Sequence, residues 1–201
     1  MTSNNKDNVY KSYDKMFNWF DEHRSRDLFE KPYLELAISH LKHDAKILDL
    51  GCGMGEPIGK YFIDKGYQLT GIDGSSKLID LAKNRFPKGQ FMVGDMREIN
   101  LREKFDLVIA WNSFFHLSKD DQRLMFKIFE EHLNSGGILM FTSGPSEGEV
   151  WSDNGGEMLY HASLSPEEYK KLLTDHHFEL IKNALGDEGG AYIWVARCQQ
   201  K

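Results

Sequence analysis

Asp49-Leu50-Gly51-Cys52-Gly53-Met54-Gly55 forms a glycine turn between an apolar run and an amphipathic segment, and Asp73 closes the next apolar run twenty residues after Gly53. Gly51 and Gly53 allow a sharp turn and bring backbone close to a ligand, where any Cβ would collide. A helix starting near Pro57 aims free N–H groups and the positive end of its dipole at the same place. A carboxylate at the spacing of Asp73 is where an open α/β fold receives a ribose, and Gly74 and Ser75 stand beside it as further contacts. These residues point to an adenosine-like cofactor. The plainer readings are a turn that only joins strand to helix, and an Asp73 that only caps the helix at Ser75.

The place after the glycines narrows the cofactor. In the dinucleotide fingerprint G-x-G-x-x-G the last glycine lies under a pyrophosphate. Counted from Gly51, that place is Glu56. A carboxylate there repels a pyrophosphate but tolerates an ammonium or a sulfonium. Ile47–Gly55 resembles the first motif of the class I S-adenosylmethionine-dependent methyltransferases, (V/I)LDLGCGxG, including Asp49 and Cys52. The chain looks most like their small bacterial type 11/type 12 group, with Met54 and Glu56-Pro57 as variations in the turn.

The resemblance implies S-adenosylmethionine as cofactor, S-adenosylhomocysteine as product, and Asp49, Gly51, Cys52 and Gly53 among the cofactor contacts. It also implies that Asp95 accepts from the adenine amine while the Met96 amide serves a ring nitrogen; a solvated turn is the alternative for Asp95. Tyr13 and Trp19, with Arg24 and Arg26, resemble the arm that covers the cofactor and walls the acceptor pocket in small-molecule members. Plain helix packing is the alternative for that arm.

Methyl transfer from a sulfonium is a direct in-line displacement. The protein must align an acceptor lone pair, exclude water and, for some acceptors, remove a proton. Trp111, after the fourth strand, is expected beside the methionine part of the cofactor, at the edge where open sheets bind ligands. His116 is a candidate proton acceptor or a structural turn residue. Residues 144–163 show no periodicity, and a loop this long is a functional lid or is disordered. Its aromatic content favours a lid, which makes Trp151 a substrate-pocket residue and Tyr160 and His161 candidates for both pocket and catalysis. No metal motif is present. His40/His43 and His176/His177 read as solvated helix ends.

Positioning these groups requires an alternating chain. An apolar stripe of Val9, Tyr13, Met16, Phe17 and Phe20, then a helix from Pro32 to about His43, make an N-terminal helical arm over 1–44. Strands are expected at 46–50, 67–72, 91–93, 105–111 and 138–142, with helices at 57–65, after Ser75, and from Lys119 to about Leu133. After the 144–164 lid, Ser165-Pro166-Glu167-Glu168 opens a helix to about His176. Two apolar runs, 178–185 and 191–196, pair as an antiparallel hairpin across Gly186–Gly190. The fold class is α/β: a single doubly wound, mostly parallel, Rossmann-like sheet of seven strands with a C-terminal antiparallel hairpin.

Composition excludes other classes. The chain has 201 residues, 40% hydrophobic and 28% charged, as expected of one globular domain. No apolar run suits a bilayer, and the polar start carries no h-region. Two cysteines without a spacing pattern suit a reducing, cytoplasmic setting. A net charge of −6 without a basic cluster argues against nucleic-acid and membrane partners. The expected partner is a small-molecule acceptor, with the protein a monomer or homodimer. A nicotinamide-dependent oxidoreductase and a non-catalytic S-adenosylmethionine-binding module are the competing readings.

Overall fold

The computed structural model describes residues 6–186 and 191–199. The expected absence of a leader falls on residues 1–5, and the terminal hairpin's connection falls mostly on 187–190; both stretches lie outside the described residues.

The arm comprises α1 (Tyr10–Lys15) and α2 (Phe17–His23), followed by α3 (Lys31–Ile38) with Pro32 in its first turn. The helix expected to reach His43 stops at Ile38. There Ser39 Oγ donates back to the Leu36 carbonyl at 2.7 Å, and tight-turn bonds replace the helical ladder. The core then alternates as β1 (Lys46–Leu50), α4 (Ile58–Asp64), β2 (Gln68–Asp73), α5 (Ser76–Arg85), β3 (Gln90–Val93), β4 (Phe105–Ala110), α6 (Lys119–His132) and β5 (Leu133–Ser143). Serine caps open three of the helices. Ser75, Ser118 and Ser165 accept from the amides of Leu78, Asp121 and Glu168. β5 starts five residues before the expected Ile138, because Gly136 takes φ 78° and the strand absorbs a register shift opposite Phe105/Leu107.

The main departure is the 144–163 segment. It is an antiparallel hairpin, β6 (Gly148–Asn154) and β7 (Glu157–Ser163), not an irregular loop. Its turn is Gly155-Gly156, both at positive φ (60° and 83°), and Asn154-Gly155-Gly156 is the sequence signal that marks it. Then come α7 (Pro166–Asp175), β8 (Phe178–Leu185) and β9 (Tyr192–Cys198).

The main sheet has seven strands in the order β3-β2-β1-β4-β5-β9-β8, parallel except where β9 pairs β5 and β8. Strand alternation sends Leu48, Val108 and Phe141 to one face, under Phe126, Phe129 and Tyr169 of α6 and α7. Ile47, Leu107 and Met140 go to the other, under Leu34, Phe62 and Ile79. The hairpin packs on the arm through Val9, Met16 and Tyr160. His176 and His177 close α7 at the surface, His177 being 67% exposed, and each donates from Nδ1 to Glu130, at 3.1 and 2.8 Å, tying α7's end to α6. His40 likewise pairs with Arg197. Among the described residues no helix is long and apolar enough to cross a membrane, and no His/Cys/Asp/Glu group is set to hold a metal. Cys52 and Cys198 are both buried thiols outside any disulfide.

Candidate active site

The carboxyl ends of β1, β2, β4 and β5 open on one edge of the sheet, and the glycine turn rises there. The amides of Gly51 and Cys52 donate to the Ile72 carbonyl at 2.7 and 3.1 Å, pinning the turn to β2. Gly51, Gly53 and Gly55 all take positive φ. Their roles differ. A Cβ on Gly51 would lie 2.2 Å from Ser113 Cβ, and Ser113 Oγ donates to the Leu50 carbonyl at 2.6 Å. Gly51 is therefore demanded by the protein's own packing, whereas Gly53 faces open space with nothing nearer than Phe20 Cε1 at 3.9 Å. Gly53 is the turn's open side.

Asp73 accepts from Gly53 N–H at 2.9 Å and Ser75 N–H at 2.8 Å, so its carboxylate fastens the turn to the start of α5. The cap itself is Ser75 Oγ, not Asp73. Ser75 corrects the expectation of a cofactor contact: it is fully buried, donates to Asp14 at 2.6 Å and lines neither cavity. Gly74 lines the narrow pocket beneath Tyr10. Burial raises the Asp73 carboxyl above its usual range despite those two amides. Burial, with the neighbouring Asp73 charge, pushes Asp49 up to about 7. Burial also raises the Cys52 thiol, which keeps it protonated and unreactive.

Two spaces that share part of their lining lie over this edge. A narrow pocket of about 120 Å³ is lined by Gly51, Gly53, Asp73, Asp95, Met96 and the arm's Tyr10 and Tyr13. A wide cleft of about 1490 Å³ is lined by Asp49, Cys52, Trp111 and Arg24 and walled by the β6–β7 hairpin. Asp95 is held by Arg97, whose guanidinium outweighs burial and keeps that carboxyl below its usual range; Arg97 also reaches Asp121 at 3.0 Å. Glu56 does not act as an isolated carboxylate. Arg26 and Arg85 pair with it at 3.3 and 3.0 Å and both also hold Asp21, a charge-balanced knot in which Glu56 no longer presents a bare negative charge.

His116 sits at the neck between the two spaces. Its Nδ1–H donates to the Tyr160 carbonyl at 2.8 Å, which leaves Nε2 to accept from the Tyr13 hydroxyl at 3.0 Å. Burial and the nearby His161 lower its pKa to about 4, so it is neutral and its lone pair is already engaged. His161 lies 4.6 Å from it, ring to ring, lines the cleft, and is lowered by burial as well. Its Nδ1 stands 3.4 Å from Ser152 Oγ.

Strand parity corrects the expectations for Trp151 and Tyr160. Trp151 and Tyr160 are cross-strand partners on the hairpin face that packs against the arm, and neither lines either of these two spaces. Val150, Ser152 and His161 face the cleft instead. Trp19 stacks on His23 and leans against Gly155 of the hairpin turn, and it does not line the narrow pocket. Glu30 and Ser152 line the cleft although nothing in the sequence singled them out; a glutamate in a charged stretch reads as a solvated one.

A family model described as a methyltransferase domain matches residues 47–137. Phosphoethanolamine N-methyltransferase of Plasmodium falciparum is 27% identical over 73% of this chain and 58% of its own length. YqeM of Bacillus subtilis is 32% identical over 66% of this chain and 54% of its own. The chain thus spans about half the length of these curated relatives. The Burkholderia thailandensis 1,6-didemethyltoxoflavin-N1-methyltransferase, solved with its substrate and S-adenosylhomocysteine, superposes with a TM-score of 0.74 at 17% identity, covering 96% of this chain and 88% of that one. At that identity the likeness is one of fold. Because the family match falls on the strands that raise the glycine turn, and the same sheet recurs almost end to end, the chain belongs to the class I S-adenosylmethionine-dependent methyltransferases and not to the nicotinamide-dependent oxidoreductases.

Proposed function

We propose that this chain moves a methyl group from S-adenosylmethionine to a nucleophilic atom of a small molecule seated in the wide cleft. One observation carries the reading. The pocket on the glycine turn and the cleft share Tyr13, Phe20, Gly51, Gly53, Asn112 and His116, so ligands in the two spaces meet at one neck. The names of related proteins, acting on phosphoethanolamine and on an amino sugar, support a small acceptor.

The open side of Gly53 and the anionic Asp49–Asp73 floor suit a cationic, ribose-bearing cofactor. When bound, the cofactor supplies a methyl group on a cationic sulfur, which leaves as a neutral thioether. Asp49 receives its ammonium, Asp73 its ribose hydroxyls, and Asp95 and Met96 its base. The 120 Å³ pocket is smaller than ordinary ligand sites of ~300 Å³ or more, so α1 with Tyr13 must draw back on loading. The arm and the hairpin serve as the lid that excludes water. His161 is the proton acceptor on the cleft side, because the lone pair of His116 is spent on Tyr13. A net charge of −6 favours a small acceptor over nucleic acid or an anionic membrane. All these groups come from one chain, so a monomer suffices, in a reducing, cytoplasmic setting.

The test is incubation with methyl-labelled S-adenosylmethionine and a fractionated small-molecule extract. Label is expected in a small molecule together with released S-adenosylhomocysteine. Failure of the protein to bind S-adenosylhomocysteine in calorimetry would overturn the reading.

A further inference from the structure

Glu30 precedes α3 at the wall of the cleft and is 6% exposed. Its side chain caps nothing, although its backbone carbonyl receives Tyr33 and Leu34. Carboxyl oxygen Oε2 is sealed from water and accepts no hydrogen bond from any described residue. Among the described residues the cation paired with the carboxylate is Arg24, whose Nη2 stands 3.7 Å from Oε1, near enough for charge and too far for a hydrogen bond. A buried carboxylate needs both a counter-charge and donors to offset its lost hydration. Glu30 has the first in weak form and lacks the second. Rings border the same stretch of cleft. Phe29 is 53% exposed, and Tyr33 and Trp111 lie with ring centroids 6.1 Å apart. Aromatic faces attract cations, and Lys182 already places its ammonium 5.5 Å from the Tyr33 ring centre.

Building on the methyl-transfer reading, we propose that Glu30 is the specificity residue that recognises a positively charged N–H group of the acceptor, so that the substrates are small amines. Turned a little into the cleft, Oε2 takes the acceptor nitrogen as the donor it lacks, and the Phe29 and Trp111 rings face the charge. The reacting nitrogen gives up one proton to neutral His161. Its freed lone pair then forms the N–CH3 bond as the S–CH3 bond breaks, with sulfur keeping that electron pair as a thioether. A neutral alcohol of the same shape gains none of the charge term.

The test titrates the S-adenosylhomocysteine-loaded protein with benzylamine and with benzyl alcohol at pH 7, following binding by calorimetry and tryptophan fluorescence. Wild type is expected to bind benzylamine at least tenfold more tightly than the alcohol. Glu30→Gln, close to isosteric but uncharged, is expected to erase that preference while S-adenosylhomocysteine affinity stays unchanged and the thermal midpoint does not fall. Equal affinity for the two probes, no detectable benzylamine binding, or a preference that survives in Glu30→Gln would overturn the proposal. The same titration separates the two readings. Loss of S-adenosylhomocysteine binding in wild type strikes the methyltransferase reading, whereas intact cofactor binding without an amine preference strikes only the role of Glu30.

Discussion

If Asp49 receives the cofactor's ammonium, as proposed, cofactor binding should depend on pH near neutrality. Its carboxyl is raised from 3.8 to about 7 by burial and the Asp73 charge, so below pH 7 it is mostly protonated and has no charge to offer the cofactor's ammonium. With a pKa of about 7, roughly 3% is ionised at pH 5.5 and roughly 75% at pH 7.5, from the ordinary titration relation. If the ammonium pairs only with the ionised form, affinity for S-adenosylhomocysteine should rise about 25-fold over that range, ~2 kcal/mol. Calorimetry in buffers of different ionisation enthalpy should also show about one proton released on binding near pH 6. Asp49→Asn should bind more weakly at pH 7.5, with a flat profile. Stability runs the opposite way. The folded state holds this proton more tightly than the unfolded chain, so Asp49 costs stability progressively as pH climbs from about 4 to about 7. Asp49→Asn should therefore melt higher than wild type at pH 8. A flat wild-type binding profile, or an equal slope in Asp49→Asn, would refute the assignment.

Asp73→Ala should weaken S-adenosylhomocysteine more than tenfold and also destabilise the fold by ~1–3 kcal/mol, since two buried amides lose their acceptor; denaturant melts alongside calorimetry would detect both. Gly51→Ala and Gly53→Ala should separate: the first drives a Cβ into Ser113 and should collapse stability, while the second should cost only ~1–2 kcal/mol for its left-handed backbone yet abolish cofactor binding. Equal melting losses would contradict that division. His161→Ala should cut turnover on any acceptor by ~10²-fold or more with cofactor affinity intact, whereas Trp151→Ala should lower the thermal midpoint through the arm–hairpin contact and leave the per-molecule rate nearly unchanged. Hydrogen exchange should show the α1 arm opening in the cofactor-free protein and becoming protected once cofactor and acceptor are bound.

The glycine turn and the sheet edge that carries it were legible in the residues because they are local. Apolar runs of strand length, Gly51 and Gly53 between them and Asp73 at the next strand's end fix the sheet edge within one β–α–β unit, where short-range sterics decide the outcome. Serine caps and the Pro32 start were legible for the same reason. The acceptor side was decided by contacts distant in sequence. Whether Trp151 or Ser152 faces the cleft depends on hairpin register, and a shift of one residue exchanges the faces. The neutrality of His116 comes from its burial between Tyr13, 103 positions away, and the Tyr160 carbonyl, 44 away. The missing donor at Glu30 is visible only once α3 has folded against the cleft, because solvation and pairing belong to a place in the tertiary structure and not to a residue type.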